Sequence, residues 1–243
     1  MKSAALISVV IPALNEADTL RTTIDSIHAG GVPAELILVD GGSTDDTVAI
    51  GESGGARVIS SRRPQRSHQM NLGARAARTA TLLFLHADTL LPPAALHFIK
   101  DVLRDDSIAG GAFARRYNSP SKILRATCAL AHLRNRTIGW HLGDQAMFVR
   151  RSTFFQLGGF REVDSFEDLD FSRRLGRFGR LVTLSPAVTS SARRFTEAGT
   201  ARRTWRDLAL TARYLMGGLD AVQTDAVAEA ADIYEVRESV RHL

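Results

Sequence analysis

One cysteine, Cys128, stands among 243 residues, so no disulfide closes within the chain and a reducing compartment is expected. Long apolar runs are missing too: no stretch approaches the roughly 20 residues that span a bilayer. The opening "MKSAALISVVIPALNE" is interrupted by Pro12 and Asn15-Glu16 and has no small-residue cleavage site, so it does not read as a signal peptide. No G-x-G-x-x-G opens the first helix, where "PALNEAD" stands instead, which argues against a dinucleotide-dependent oxidoreductase. The glycine-rich, basic loop of a sugar-phosphate nucleotidyltransferase is absent from the same place. Nor is there a basic block with interleaved aromatics. The net charge of +5 comes from 31 basic against 26 acidic residues, an excess that reads as scattered arginines. Nucleic acid is therefore not an expected partner; a small phosphorylated ligand or an anionic membrane surface suits the charge. Repeats, low-complexity tracts and linkers are also lacking.

What is present is an ordinary globular composition, 44% apolar and 23% charged, with a regular alternation in its first half. "LISVVIP" (6–12), "ELILVD" (35–40), "ARVISS" (56–61) and "TLLFLH" (81–86) read as buried strands. Helices are expected at 17–28, from "STDDTVAI" onward, and at 65–79. Continuous Val/Ile/Leu strands separated by helices predict an α/β fold: a doubly wound, mainly parallel sheet flanked by helices, binding ligands at the carboxyl ends of its strands. The second half predicts strands at 108–117 and 143–151, helices at 119–136 and 165–179, and a helical C-terminus broken near Gly217-Gly218. Residues 1–195 are expected to form the main domain, with 196–243 a helical extension packed on it.

Polar residues gather at three successive strand ends: Asn15 and Glu16, Asp40, then His86 and Asp88. In "LLFLHADTLLPP" the acid either opens a helix before the prolines or holds a metal. In "VDGGSTDDT", Ser43, Thr44, Asp45 and Asp46 are what a helix N-cap and first turn require. Asp40 precedes the glycines and points off the sheet edge. His68 and Gln69 read as a solvated helix start, and Asp170, Arg173 and Arg174 as a solvated helix face.

Five motifs, "VVIPALNE", "LVDGGSTDDT", "RSHQMNLGARAA…LLFLHAD", "GDQAMFVRR" and "FEDLDFSRRL", occur in the order seen in family 2 glycosyltransferases of the GT-A fold. The chain resembles a bacterial subfamily carrying the "FLHADT" and "GDQ" variants, over roughly residues 6–195. The resemblance implies transfer of a sugar, usually with inversion, from a nucleotide donor, most often a UDP-sugar, with Mg²⁺ or Mn²⁺ as cofactor. It places Pro12, Ala13, Asn15, Glu16, Asp40 and Gly41 around the nucleoside, with Asp40 accepting from the base. Arg66 and Asn71 fall near the phosphates and ribose, beside His86 and Ala87. Where the family has Asp-x-Asp, this chain has His86-Ala87-Asp88, so Asp88 holds the metal-ligand position alone. His86 then contacts ribose, supports a ligand of the metal, or binds Mn²⁺ itself. Asp144, Gln145 and Glu167 are expected near sugar or acceptor, with Arg193 and Arg194 as late cations. Asp168 of the "ED" pair is implied as general base, which requires burial to offset the helix N-terminus.

The implied acceptor is a small molecule or a lipid-type hydroxyl. A lipid carboxylic acid, such as a carotenoid acid, is the alternative, and a non-catalytic nucleotide-sugar-binding relic is the reading from another class. The C-terminal helix carries Trp205, Leu208, Ala212, Leu215 and Leu219 at helical spacing beside Arg202, Arg203, Arg206 and Arg213. That stripe packs on the domain, on a second copy in a homodimer, or on a membrane. A cytoplasmic protein, with the inner membrane face as its other expected location, follows.

Overall fold

The computed structural model describes residues 7–163, 165–193, 195 and 200–219. Its first half follows the apolar runs closely: β1 (Ile7–Ala13), α1 (Ala17–His28), β2 (Ala34–Asp40), α2 (Thr47–Ser53), β3 (Arg57–Ser60), α3 (Arg66–Ala76) and β4 (Thr81–Phe84). There follow β5 (Thr89–Leu90), α4 (Ala95–Val102), β6 (Ile108–Tyr117), α5 (Lys122–Ile138), a 3₁₀ turn (Gly143–Gln145), β7 (Met147–Arg150), α6 (Arg151–Gln156), α7 (Glu167–Phe178), β8 (Arg180–Ser190) and α8 (Thr200–Gly217). The strands form one sheet in the order β3-β2-β1-β4-β7-β6-β8-β5. Strands β1 to β4 pair in parallel, as do β6 and β8, whereas β7 runs antiparallel to both β4 and β6. The sheet is therefore mixed, and helices cover it on both faces.

Alternating side chains divide the core between those faces. Val9, Ile11 and Leu38 join Leu20 and Ile24 of α1 and Ile99 of α4 in one cluster. Val10, Ile37 and Val39 join Met70 and Ala74 of α3, Phe154 of α6 and Phe171 of α7 in the other. A third cluster seats α8: Tyr214 and Leu219 pack with Val163 and Leu169, next to Trp140, Leu142, Phe166 and Leu210.

Four expectations are corrected. "GDQAMFVRR" is not one strand: Asp144 and Gln145 lie in the 3₁₀ turn, only 147–150 is extended, and Arg151 opens α6. The solvated face assigned to Asp170, Arg173 and Arg174 is largely covered. Arg174 donates to Asp170 and to the carbonyls of Leu157 and Gly159, satisfying acceptors at the C-terminal end of α6, while Arg173 lies over the rings of Trp140 and Tyr214. Gln69 is buried, and its amide nitrogen donates to the carbonyls of Ala13 and Val39, tying the ends of β1 and β2 together. On α8 the covered residues are Leu210, Tyr214 and, just past its end, Leu219, while Trp205, Ala212 and Leu215 face outward. Arg194 and the chain beyond Leu219 lie outside the described residues.

Candidate active site

The strand order turns back between β1 and β4, the place where a doubly wound sheet opens a crevice at its strand ends. Asp88 lies four residues past the end of β4 and six before Ala94, the N-cap of α4, so it caps no helix. Neighbouring elements hold the loop that carries it. Thr23 Oγ1 of α1 donates to the Ala87 carbonyl (2.8 Å), and the Ser191 N–H donates to the Asp88 carbonyl (3.1 Å). The short pairing of β5 with β8 locks the next two residues. Asp88 is thus presented from a fixed backbone, as a ligand-holding carboxylate requires.

Asp168 approaches from the other side, in the first turn of α7. Its carboxylate accepts from the Gly143 N–H and, at 2.6 Å, from the Leu169 N–H. A side chain at 143 would crowd both groups, because a Cβ there would sit 3.0 Å from Asp168 Oδ2 and from His86 Nε2. Burial raises the Asp168 pKa above its ordinary value, against the lowering pull of those backbone donors and of Arg66. The residue before α7, Phe166, holds φ at 65°, a left-handed conformation that a bulky side chain seldom adopts. Its ring stacks on Tyr214 of α8 with centroids 5.4 Å apart and planes 7° from parallel. The C-terminal helix thereby braces the turn that presents Glu167 and Asp168.

A cavity of about 510 Å³ joins these groups. Arg66, His86, Asp88, Asp144, Glu167 and Asp168 all line it. Glu167 is buried and lies 3.7 Å from Arg66 Nε. Sequence reasoning misses Arg115 and Tyr117, whose side chains both bind Asp144 Oδ2. The signal for them is the period of two along β6, which puts 113, 115 and 117 on one face and carries the core side of Phe113 out to the cleft. Arg115 holds the Asp144 carboxyl below its ordinary value although burial alone would raise it. Leu130, Arg134, Arg206 and Leu210 complete the far wall, and these too are not assigned to the site from sequence.

The remaining predicted residues are placed differently. Asn15, Glu16, Asp40 and Gly41 stand at the ends of β1 and β2, outside the cavity lining. Asp40 accepts from the N–H groups of Gly42 and Ser43, and Asn15 Oδ1 from that of Thr44. Asp45 takes the Ala17 and Thr47 N–H groups, the local capping role expected of it. Pro12, Ala13 and Ala87 are buried backbone supports. Glu16 pairs with Arg193 at 2.8 Å, bringing the late cation to the first strand end. Two of the expected site residues have their amides engaged by the backbone. Both ends of the Asn71 amide are taken by the Phe160 backbone, so it is a clamp between α3 and the segment after α6. Gln145 is buried, donating to the Phe113 carbonyl and accepting from Leu142 N–H and Arg134, so it shapes the 3₁₀ turn.

That turn rests on His141, whose Nε2 lies 2.9 Å from Thr183 Oγ1 and whose N–H donates to Ser172 Oγ. Burial, helped by Arg134, lowers the imidazole to about 4 from an ordinary 6.5. The unfolded chain gains this proton near pH 6.5, while the folded protein stays neutral until about pH 4. Below pH 6.5 the unfolded state is therefore favoured, and stability should fall by up to about 3 kcal/mol as pH drops to 4. Urea midpoints across that range test the effect. His141→Gln should flatten that part of the profile; an unchanged slope would count against it.

The donor set suits a divalent cation. Among the described residues no three His, Cys, Asp or Glu side chains gather as a ready ligand cage. A carboxylate with diphosphate oxygens and waters is, however, how Mg²⁺ is usually held, and the imidazole of His86 suits Mn²⁺. Asp144 Oδ1, buried without a hydrogen bond, adds a further oxygen to the same cavity.

Comparison with known proteins places the chain in a family and a fold. The model of the family "Glycosyl transferase family 2" matches residues 8–161. The PGL/p-HBAD biosynthesis glycosyltransferase of Mycobacterium bovis is 33% identical over 196 residues, covering 74% of this chain and 73% of that one. Glucosyl-3-phosphoglycerate synthase of Mycolicibacterium paratuberculosis is 38% identical over 101 residues, and the match spans only 31% of its length and 37% of this chain. The mannosyltransferase PcManGT from Pyrobaculum calidifontis, solved with GDP-Man and Mn²⁺, superposes with a TM-score of 0.64 at 18% identity, over 98% of this chain and 83% of that one. At that identity the likeness speaks for the fold, a GT-A sheet. With the family match running from β1 to beyond α6, the chain belongs to glycosyl transferase family 2.

Proposed function

We propose that the chain moves a sugar, with inversion, from a nucleoside diphosphate donor, a UDP-sugar foremost, to a hydroxyl acceptor. The observation that carries this reading is one cavity lined both by Asp88, just past a strand end, and by Asp168, with its pKa raised by burial. Asp168 takes the proton from the acceptor hydroxyl, making a weak nucleophile competent. Asp88, with His86 beside it, holds a divalent ion, which when bound offsets the charge growing on the departing diphosphate. Arg66, steered by buried Glu167, offers the diphosphate a planar fork of donors. Asp40 faces the base, and Asp144, fixed by Arg115 and Tyr117, faces the sugar.

A second reading of the acceptor has its own support. The same cavity is lined by Leu130, Leu210 and Phe166 with Arg134 and Arg206, a lining suited to an apolar molecule bearing an anionic group such as a carboxylic acid.

A thermal-shift screen of UDP- and GDP-sugars, with Mn²⁺ or with chelator, tests the donor assignment. A donor at a hundredfold excess over its dissociation constant stabilises by about 2.7 kcal/mol. For a chain of this size that is a rise of about 5–10 °C in Tm. A UDP-sugar that shifts Tm with Mn²⁺ and less with chelator is expected; no shift with any nucleotide sugar would remove the basis of the proposal.

A further inference from the structure

The basic excess of the chain is not scattered. Helices α5 and α8 together hold eight of the 31 arginines and lysines and one of the 26 acids, which leaves the other 208 residues at a net charge of −2. Among the described residues, the same two helices carry the five most exposed large apolar side chains. On α5, Ile123, Leu130 and Leu133 recur at helical spacing and face outward, Leu130 being 61% exposed. On α8, Trp205 (74% exposed) and Met216 (81%) lie on one outward stripe with Leu215 beside it. Exposed apolar residues scattered singly need no explanation, but two outward stripes on two basic helices do.

The stripes also share a place. Thr127, Leu130 and Ala131 of α5 and Thr204, Arg206 and Leu210 of α8 line the wall of the catalytic cavity, so both helices border it. No described helix is long and apolar enough to cross a bilayer, so the apolar residues cannot be the face of a spanning segment. A stripe with tryptophan, leucine and methionine on one side and arginine around it is the pattern of a helix lying in a lipid interface. Arginine and lysine near an anionic surface add attraction that salt weakens.

We propose that the outward apolar stripes of α5 and α8, the two helices that border the catalytic cavity, dock on an anionic lipid bilayer. This goes beyond the transfer reaction and does not depend on it, since docking needs neither donor nor metal. The charge decides between occupants. Lys122, Arg125 and Arg206 are exposed among the described side chains of the two helices, so a second copy would bring like charges together, whereas an anionic surface complements them.

The test is flotation of the full chain with vesicles of phosphatidylglycerol and phosphatidylcholine in equal parts, against vesicles of phosphatidylcholine alone. Binding is expected to the anionic vesicles only and to fall as salt rises from 0.1 to about 0.5 M. Tryptophan emission should shift to the blue on binding, and Trp205→Phe should remove the shift, because Trp140 is packed against Arg173 in the interior cluster. Trp205→Glu and Leu133→Glu should each lower vesicle partitioning by about tenfold or more. Both positions are outward-facing, and retained stabilisation by a nucleotide sugar shows that the variants are folded. Failure of the wild type to float with anionic vesicles, or equal flotation of both variants, would overturn the proposal. So would light scattering that shows a dimer dissociated by the same two substitutions, which would give the face to a second copy. If no nucleotide sugar stabilises the protein yet it floats, the transferase reading falls and the docking surface stands; circular dichroism then serves as the folding control.

Discussion

Asp168→Asn is expected to leave donor affinity unchanged and to slow transfer by about 10²–10⁴-fold, the range a positioned base contributes. Asparagine keeps the shape of the side chain, and its oxygen can still accept from the Gly143 N–H. What it cannot do is hold a proton released by the acceptor. The pH profile should report the same group. Because burial raises the Asp168 pKa, the base form is lost, and kcat/KM falls, as pH drops through a value above that of an ordinary aspartate. That limb should disappear in the variant. Stability should move the opposite way. A carboxyl with a raised folded pKa favours the folded state only while protonated, so it weakens the fold as pH rises. Asp168→Asn should therefore be neutral or mildly stabilising near pH 7 while transfer collapses. Transfer within about threefold of wild type, well short of the range for a lost base, would remove Asp168 from that role. It would also point to an acceptor already ionised, such as a lipid carboxylic acid.

Asp88→Asn is expected to abolish the dependence of UDP affinity on a divalent ion and to lower kcat/KM by about 10²–10³-fold. The second figure follows from the several kcal/mol that a cation supplies where charge develops on a leaving phosphate. The loop around Asp88 is tied to α1 and β8 through main-chain carbonyls, which the substitution does not touch, so the fold should be preserved. Calorimetry with UDP in Mn²⁺ and in chelator separates the two effects. Equal affinity in both conditions for the wild type would sink the assignment. His86→Ala in the same assay decides the neighbouring position: if the imidazole is a ligand, the preference for Mn²⁺ over Mg²⁺ should shrink.

Much of the candidate site is legible in the amino-acid sequence because it lies where strands end. The apolar runs of β1, β2 and β4 stop at Ala13, Asp40 and Phe84, and the polar residues just beyond must emerge at one edge of a parallel sheet. Asp88, Arg66 and Asp168 can be reached in that way or through the motif order. The backbone partners of Asn71 and Gln145 are not legible there for a shared reason: an amide carries both donor and acceptor, and one long-range backbone partner is enough to engage it. Neither Phe160 opposite Asn71 nor Phe113 opposite Gln145 is near in the chain.

The C-terminal helix shows the division most clearly. Its existence and its arginines are properties of the sequence, because helical spacing and charge are local. Which of its sides is buried is not, since Trp205, Leu210, Tyr214 and Leu215 are all apolar enough to pack. The choice falls to Tyr214 because Phe166 offers it a parallel ring and Arg173 a cation over its face, both from α7 and the turn before it. Sequence by itself determined the strand ends, the order of the motifs and the carboxylates available for chemistry. Only the tertiary structure decided that burial wins over the helix N-terminus at Asp168, and that Arg115 and Tyr117 belong beside Asp144. Desolvation and ion pairing depend on what comes close in space, and those neighbours lie 25 or more residues away along the chain.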